Sequence, residues 1–279
     1  MIQVMGESTS KSRVCKELQV SRASLYWKSI EGSRGRYVKK DDEAVLEEVN
    51  EVIEERATYG YKRVTAMINK KRKLEGHSIF NRKRVYRVMD MNGLLLKKEL
   101  EKRTHKATGK IITLHSNTRW CSDGFEIHCY NGEKVYVAFC LDTHDREAIS
   151  YVAYDRPLLA VDIQKLMIES VSLRFSKDKA PREIQFLSDR GSIYRAKETV
   201  EMGRRVGLKS CFTKAYTPQS NGMSESLVGT IKRDYVYTSD CVDAKATLKM
   251  ISGWFKDYNE VAPHSGLGMM SPLEYKKVN

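Results

Sequence analysis

Hydrophobic positions recur along this chain with two different periods, and the change from one to the other falls near residue 118. Upstream the spacing is helical, with apolar residues three or four apart. Val14, Leu18, Leu25 and Trp27 predict two short helices over residues 11–28, joined by Gln19-Val20-Ser21-Arg22, with Ser21 placed to cap the second. A Gly-, Ser- and Arg-rich stretch, residues 31–40, suits a linker. Three more helices follow. Residues 42–56 align Val45, Val49, Val52 and Ile53; residues 61–73 align Val64, Met67 and Ile68; residues 81–92 align Val85, Val88 and Met89 behind an Asn81 cap. Residues 97–117 sustain no period and are rich in lysine.

Downstream the chain turns to strands. Residues 119–129, 134–141 and 148–154 predict three in series, the first turn being Tyr130-Asn131-Gly132-Glu133. A helix over 159–175, a strand over 183–188, a helix over 196–206 and a strand over 208–213 come next, and helices over 223–237 and 244–258 close the series. Three strands, then helix, strand, helix, strand and helices is the ribonuclease-H-like order. The expected fold is therefore α/β, a mixed sheet with flanking helices, preceded by small all-helical, helix-turn-helix-like modules. The expected division is a short helix-turn-helix-like segment at 1–32, a three-helix module at 41–96, a basic linker at 97–118 and the α/β core at 119–279.

Charge sharpens this division. The formal net charge is +13, and residues 1–118 hold 26 Lys+Arg against 15 Asp+Glu, while residues 119–279 hold 23 against 21. A basic front joined to a nearly neutral core points to DNA contacts in the front. Arg22, in the turn of the first helix pair, and Lys62 and Arg63 are candidates, with Arg82, Lys83, Arg84 and Arg87. A helix opened by three consecutive cations opposes its own dipole, and a DNA phosphate would remove that conflict. The six cysteines form no C-x-x-C pair or Cys/His cluster, so reduced thiols are expected and a zinc module is not. No apolar run is long enough to cross a membrane and the first twelve residues are polar, so the expected setting is the cytoplasm, at the nucleoid.

The chemistry lies with three carboxylates. Asp189 ends the apolar run Glu183-Ile184-Gln185-Phe186-Leu187-Ser188 and precedes the turn Arg190-Gly191-Ser192. Glu225 opens an amphipathic helix after the loop Thr217-Pro218-Gln219-Ser220-Asn221-Gly222, and Asp123 stands upstream in Trp120-Cys121-Ser122-Asp123-Gly124. A strand-end aspartate and a helix-start glutamate can converge, and close carboxylates usually hold a divalent cation. Lys232 follows Glu225 by two helical turns, placing both on one face about 10 Å apart.

Residues 120–124, 188–192 and 217–234 resemble the three signature blocks of the DDE transposases, retroviral integrases included. Within that group the chain is similar to the orfB-type transposases of the bacterial insertion-sequence family numbered three, in its branch numbered two. The similarity extends to Tyr59-Gly60-Tyr61-Lys62-Arg63-Val64, Lys83-Arg84-Val85-Tyr86-Arg87-Val88-Met89, Tyr258-Asn259, Pro263-His264-Ser265 and Ser271-Pro272. The resemblance implies an integrase-like catalytic core in which the first and fourth strands are central neighbours. Asp123, Asp189 and Glu225 become the catalytic, metal-holding triad for two Mg²⁺ or Mn²⁺ ions, with Lys232 and Arg233 at DNA and Gln219, Ser220, Asn221 and Gly222 as a mobile loop over its end. It further implies a DNA transposase that binds terminal inverted repeats and target DNA. An orfA-type partner or frameshift fusion, and a homo-multimer on DNA, belong to the same expectation. The chain departs from the family's pattern at Leu187, where histidine is common, and at Ser122, where threonine is common; neither touches the triad. Two rivals are a regulatory DNA-binding protein with a scaffold-only core and a ribonuclease-H-type nuclease.

Overall fold

A computed structural model describes residues 39–96, 113–213 and 222–278. The chain divides into two compact units, 1–47 and 48–279. The helices expected over 11–28, with Arg22, and the loop residues Gln219, Ser220 and Asn221 lie outside the described residues.

The front of the described chain holds three helices, α1 (Asp42–Glu55), α2 (Tyr61–Leu74) and α3 (Arg82–Met91). α1 buries Val45 and Val49, α2 buries Val64 and Ile68, and α3 buries Val85, Val88 and Met89, as the helical spacing predicts. Asn81 caps α3, its side chain accepting the Lys83 N–H at 2.8 Å.

The core is a five-stranded sheet of β1 (Arg119–His128), β2 (Lys134–Asp142), β3 (Ala148–Tyr154), β4 (Ile184–Ser188) and β5 (Leu208–Phe212), ordered β3-β2-β1-β4-β5. β1, β2 and β3 pair antiparallel, whereas β1–β4 and β4–β5 are parallel. Two apolar clusters follow the strand alternation. On one face Trp120, Ala138, Cys140 and Phe186 pack with Ile163, Leu166 and Met167 of α4 (Ala160–Phe175). On the other, Cys121, Phe125, Val137 and Phe139 pack with α6 (Gly222–Asp234) and α7 (Ala244–Glu260) through Leu227, Ile231, Trp254 and Phe255. α5 (Lys197–Arg205) leads into β5 through Gly207, whose φ of +85° and close approach to Ala180 leave no room for a side chain. Two pieces carry no expectation from the sequence, a helical turn at Ser192–Arg195 and α8 (Pro272–Val278). Among the described residues no helix is long and apolar enough to cross a membrane. Cys121, Cys129, Cys140 and Cys241 are buried free thiols, and Cys211 is half-buried and free.

Polar ties fix the far end of the sheet. Arg174, 2% exposed, pairs with Asp145 and Glu147, lies 3.5 Å from Asp142, and donates to Asn117 at 2.7 Å. It sits in the last turn of α4, where a cation also suits the helix dipole. Asn259 of α7 clasps Ala148, accepting its N–H and donating to its carbonyl, both at 2.9 Å, beside the register shift between Cys140 and Leu141. His264 packs edge-on against Tyr258 at 4.5 Å. Burial, aided by Arg63 and Arg146, depresses its pKa to about 4 against the pull of the Tyr258 carbonyl.

Two stability effects follow. Arg174→Leu strands two buried aspartates and should cost about 3–5 kcal/mol in denaturant unfolding; a loss under about 1 kcal/mol would show that the network is dispensable. His264 is neutral when folded but protonates near 6.5 when unfolded, so its contribution is whole above pH 6.5 and is lost as pH falls towards 4. The loss should be roughly 3 kcal/mol. Unfolding measured across that range should be less acid-sensitive in His264→Phe, and an equal slope in both proteins would exclude His264 as the source.

Candidate active site

β1 and β4 run parallel at the sheet centre with Trp120 opposite Phe186 and Cys121 opposite Leu187. Asp123 lies two residues beyond Cys121, and Asp189 two beyond Leu187. Alternation turns the Asp123 carboxylate to the face covered by α6 and α7, and Asp189, just past the end of β4, lies within electrostatic reach of it. Asp123 Oδ1 accepts the Gly124 N–H at 2.8 Å and Asp189 Oδ1 accepts the Gly191 N–H at 3.0 Å, so each carboxylate is oriented by its own turn. A Cβ on Gly191 would come within 3.0 Å of Asp189 Oδ1, which keeps this turn small.

Glu225 stands exposed in the first turn of α6, the helix held on the sheet by Leu227 and Ile231. Ser224, fully buried beside it, meets the Cys121 thiol of β1, although no hydrogen bond of full geometry forms from its hydroxyl. Burial, together with the charges of Asp189 and Glu225, lifts Asp123 to about 6 against the stabilising Gly124 N–H. The three carboxylates are thus electrostatic neighbours. They are not a closed cage: among the described residues no group of three or more Asp, Glu, His or Cys side chains is drawn to metal-holding spacing. Behind the aspartates the Tyr194 hydroxyl meets Ser122 Oγ at 2.9 Å, tying the turn after β4 back to β1. Ser122, one of the two departures from the family's pattern, is thereby a buried strand-to-turn tie, and Leu187, the other, packs into the apolar cluster under α6.

The expected DNA contacts divide. Lys62, Arg82 and Lys83 are exposed, Arg84 and Arg87 are half-buried, and Arg84 lies 5.6 Å from the Phe80 ring. Lys232 is half-buried with its ammonium 5.9 Å from the Phe125 ring, on the same helix as Glu225. Gly222, expected within the mobile loop, is the exposed first residue of α6. Arg63 and Arg233 are placed otherwise. Both guanidiniums pair with Asp234, whose side chain is 1% exposed: Arg63 is largely enclosed by that contact, whereas Arg233 keeps about half of its side chain, 53%, at the surface. Nothing in the sequence separates Arg63 from the outward cations, because its acceptor closes a helix 171 residues away.

Residues 114–218 and 206–272 match two models described as integrase core domain, and residues 40–100 match one described as HTH-like domain. The chain is 41% identical over 276 residues, 95% of its length and 90% of the relative's, to the transposase InsD for insertion element IS2 of Escherichia coli. The chain belongs to the insertion-element transposases. Its fold is also that of a chain in a simian T-cell lymphotropic virus intasome, with a TM-score of 0.50 at 13% identity over 74% of this chain and 69% of that one. The integrase core makes this transposase a polynucleotidyl transferase by family.

The raised Asp123 has a measurable consequence in the transposase free of divalent cations. Its folded form keeps the proton up to about pH 6 while the unfolded chain releases it near 3.9, so this stabilisation is full below 3.9 and lost as pH rises through 6. Asp123→Asn should therefore be more stable than the parent at pH 7.5, by roughly 1 kcal/mol once solvent screening is discounted, and the difference should close by pH 4. A variant less stable than the parent at pH 7.5 would contradict the crowding of charge at this site.

Proposed function

We propose that Asp123, Asp189 and Glu225 form one divalent-cation site at which this transposase cleaves the ends of its element and joins them to target DNA. The observation that supports it most is that Asp123 in β1 and Asp189 directly after β4 each stand two residues beyond the parallel pair Cys121–Leu187, with Asp189 and Glu225 both within electrostatic reach of Asp123. The donors suit Mg²⁺ or Mn²⁺: all are hard carboxylate oxygens, with no thiolate or imidazole among them, and their mutual repulsion is what a divalent cation relieves. Two such ions, when bound, would activate the attacking hydroxyl and stabilise the leaving oxygen of an in-line displacement at phosphorus.

The chain's own part is positional. Asp123 and Asp189 are fixed by the sheet and by their turn N–H groups, so they supply ligands with little freedom to lose. Glu225 comes from a helix and brings the third oxygen set. Lys232, two turns further along the same face, is placed to meet a DNA phosphate near the reacting end. The exposed Lys62, Arg82 and Lys83 of the helical module hold the DNA of the inverted repeat away from the site. An orfA-type partner and assembly as a multimer on DNA belong to the same proposal.

Asp123→Asn, Asp189→Asn and Glu225→Gln should each reduce Mg²⁺- or Mn²⁺-dependent cleavage and strand transfer on inverted-repeat DNA by about a hundredfold or more, while duplex binding is retained. Millimolar Mg²⁺ should raise the melting temperature of the parent more than that of any of the three. An active amide variant would remove that residue from the site, and three active variants would refute the mechanism. Cleavage of RNA–DNA hybrids in preference to element ends would favour a ribonuclease-H-type nuclease.

A further inference from the structure

The segment that leads into α2 lies against the far end of the helix that carries Glu225. Arg63 Nη1 donates to Asp234 Oδ2 at 2.7 Å, and Thr58 Oγ1 donates to Asp234 Oδ1 at 2.7 Å. Arg233 forks the same carboxylate at 2.8 and 2.9 Å. Alongside, Arg56 grips Asp257 of α7 through two bonds of 2.7 and 2.6 Å, and the Tyr235 hydroxyl donates to Asp257 at 2.8 Å. The Arg63 guanidinium also lies 3.5 Å from the ring centre of Tyr59, which is 2% exposed. Two turns along α2, Lys70 pairs with Glu274 of α8 at 2.5 Å.

Asp234 is the last residue of α6, and a carboxylate there has the wrong sign for the helix dipole. Locally the sequence works against itself. The conflict is met by the neighbouring Arg233 and, in addition, by donors 171 and 176 residues upstream in the chain. Burial opposes ionisation of Asp234, yet Arg233, Arg63 and Thr58 together hold its carboxyl below the ordinary range. A local rule broken and then satisfied from a distant segment marks a contact made for geometry.

We propose that Thr58 and Arg63, which hold Asp234 at the C-terminal end of α6, and Arg56, which holds Asp257 of the neighbouring α7, are positioning residues that latch the HTH-like module to the core, so that the module's seat on DNA sets where Glu225 stands relative to the two aspartates. The helix transmits this as a rod: Asp234 is nine residue steps on from Glu225, about 13–14 Å at 1.5 Å per step. Tilting its latched end displaces the other. The inference rests on Glu225 belonging to the active site.

The test uses the full chain with inverted-repeat DNA, its fusion partner present if cleavage requires it. Single-turnover cleavage at saturating DNA should fall by about tenfold or more in Arg63→Ala, with duplex affinity little changed, because a misplaced ligand slows the chemistry and not the binding. Arg63→Lys should restore most of the rate, since the parent contact to Asp234 uses one nitrogen. Thr58→Val removes one hydrogen bond without changing shape and should give a smaller loss in the same direction. The Mg²⁺ concentration for half-maximal cleavage should rise several-fold in Arg63→Ala, and hydrogen exchange in the first turn of α6 should quicken even without metal or DNA. Both go beyond what lower stability alone produces. Parent-like cleavage by Arg63→Ala at saturating DNA, a defect cured by more DNA, or an unchanged Mg²⁺ requirement with unchanged exchange in α6 would each overturn the latch. If Arg63→Ala does not fold, Thr58→Val and Arg63→Lys carry the same comparisons. Glu225→Gln runs alongside: if it cleaves, the assignment of Glu225 fails, whereas if it is inactive while the Arg63 and Thr58 variants match the parent, only the latch fails.

Discussion

The parallel pairing of β1 with β4 sets the spacing of the two aspartates before any side chain is considered. Neighbouring strands lie about 4.8 Å apart, and residues in register present side chains to the same face. Cys121 opposite Leu187 is the last pair of this ladder, and Asp123 and Asp189 each follow two residues beyond it, Asp189 just past the end of β4. A one-residue slip would send one aspartate towards α4, so the apolar residues that fix register also fix chemistry. Trp120 and Phe186 serve that end, both essentially buried on the opposite face. The carboxylates repel across this gap, and Asp123 is lifted by burial and by both neighbouring charges. Packing of the sheet imposes that cost.

Glu225 is constrained differently. No strand register reaches it; its place depends on how α6 lies on the sheet. Leu227 and Ile231 seat the helix by one stripe, and Ser224 against Cys121 sets its first turn beside β1. An apolar stripe resists lifting better than it resists sliding or pivoting. The ionic contacts at Asp234 and Asp257 supply directional restraint at the other end, where hydrogen-bond geometry fixes what apolar packing leaves loose. The sheet thus fixes Asp123 and the turn that carries Asp189, while the place of Glu225 depends on how α6 is seated.

Much of this was legible in the sequence because the deciding signals are local. Strand alternation gave β1 to β5 to within a residue or two, and the Asn81 cap and the seven-residue step from Glu225 to Lys232 needed only neighbouring positions. What stayed hidden depends on partners far along the chain. Asn259 reads as a polar residue near a helix end until Ala148 is found 111 residues away. Arg174 with Asp142 and Asp145 reads as ordinary surface charge, and only the folded helix shows all three to be buried. α8 is only about two turns of helix, too brief for periodicity to register.

The basic front shows why charge alone could not assign roles. Its positive excess suggested a single DNA-facing surface, yet several of those cations are spent inside the protein. Arg56 and Arg63 are tied to the catalytic core, Lys70 to Glu274, and Arg72 to Glu48 and the Phe80 ring 4.0 Å away. Arg63 in particular gains little from a phosphate, because moving to it would take a cation from Asp234, whose side chain is 1% exposed. Lys62 and Arg63 are adjacent in sequence but point to different tasks: one is exposed, while the other is closed against Asp234. Adjacent residues on a helix lie about 100° apart, so a single dipeptide can turn one cation outward to solvent and the next inward against a buried carboxylate.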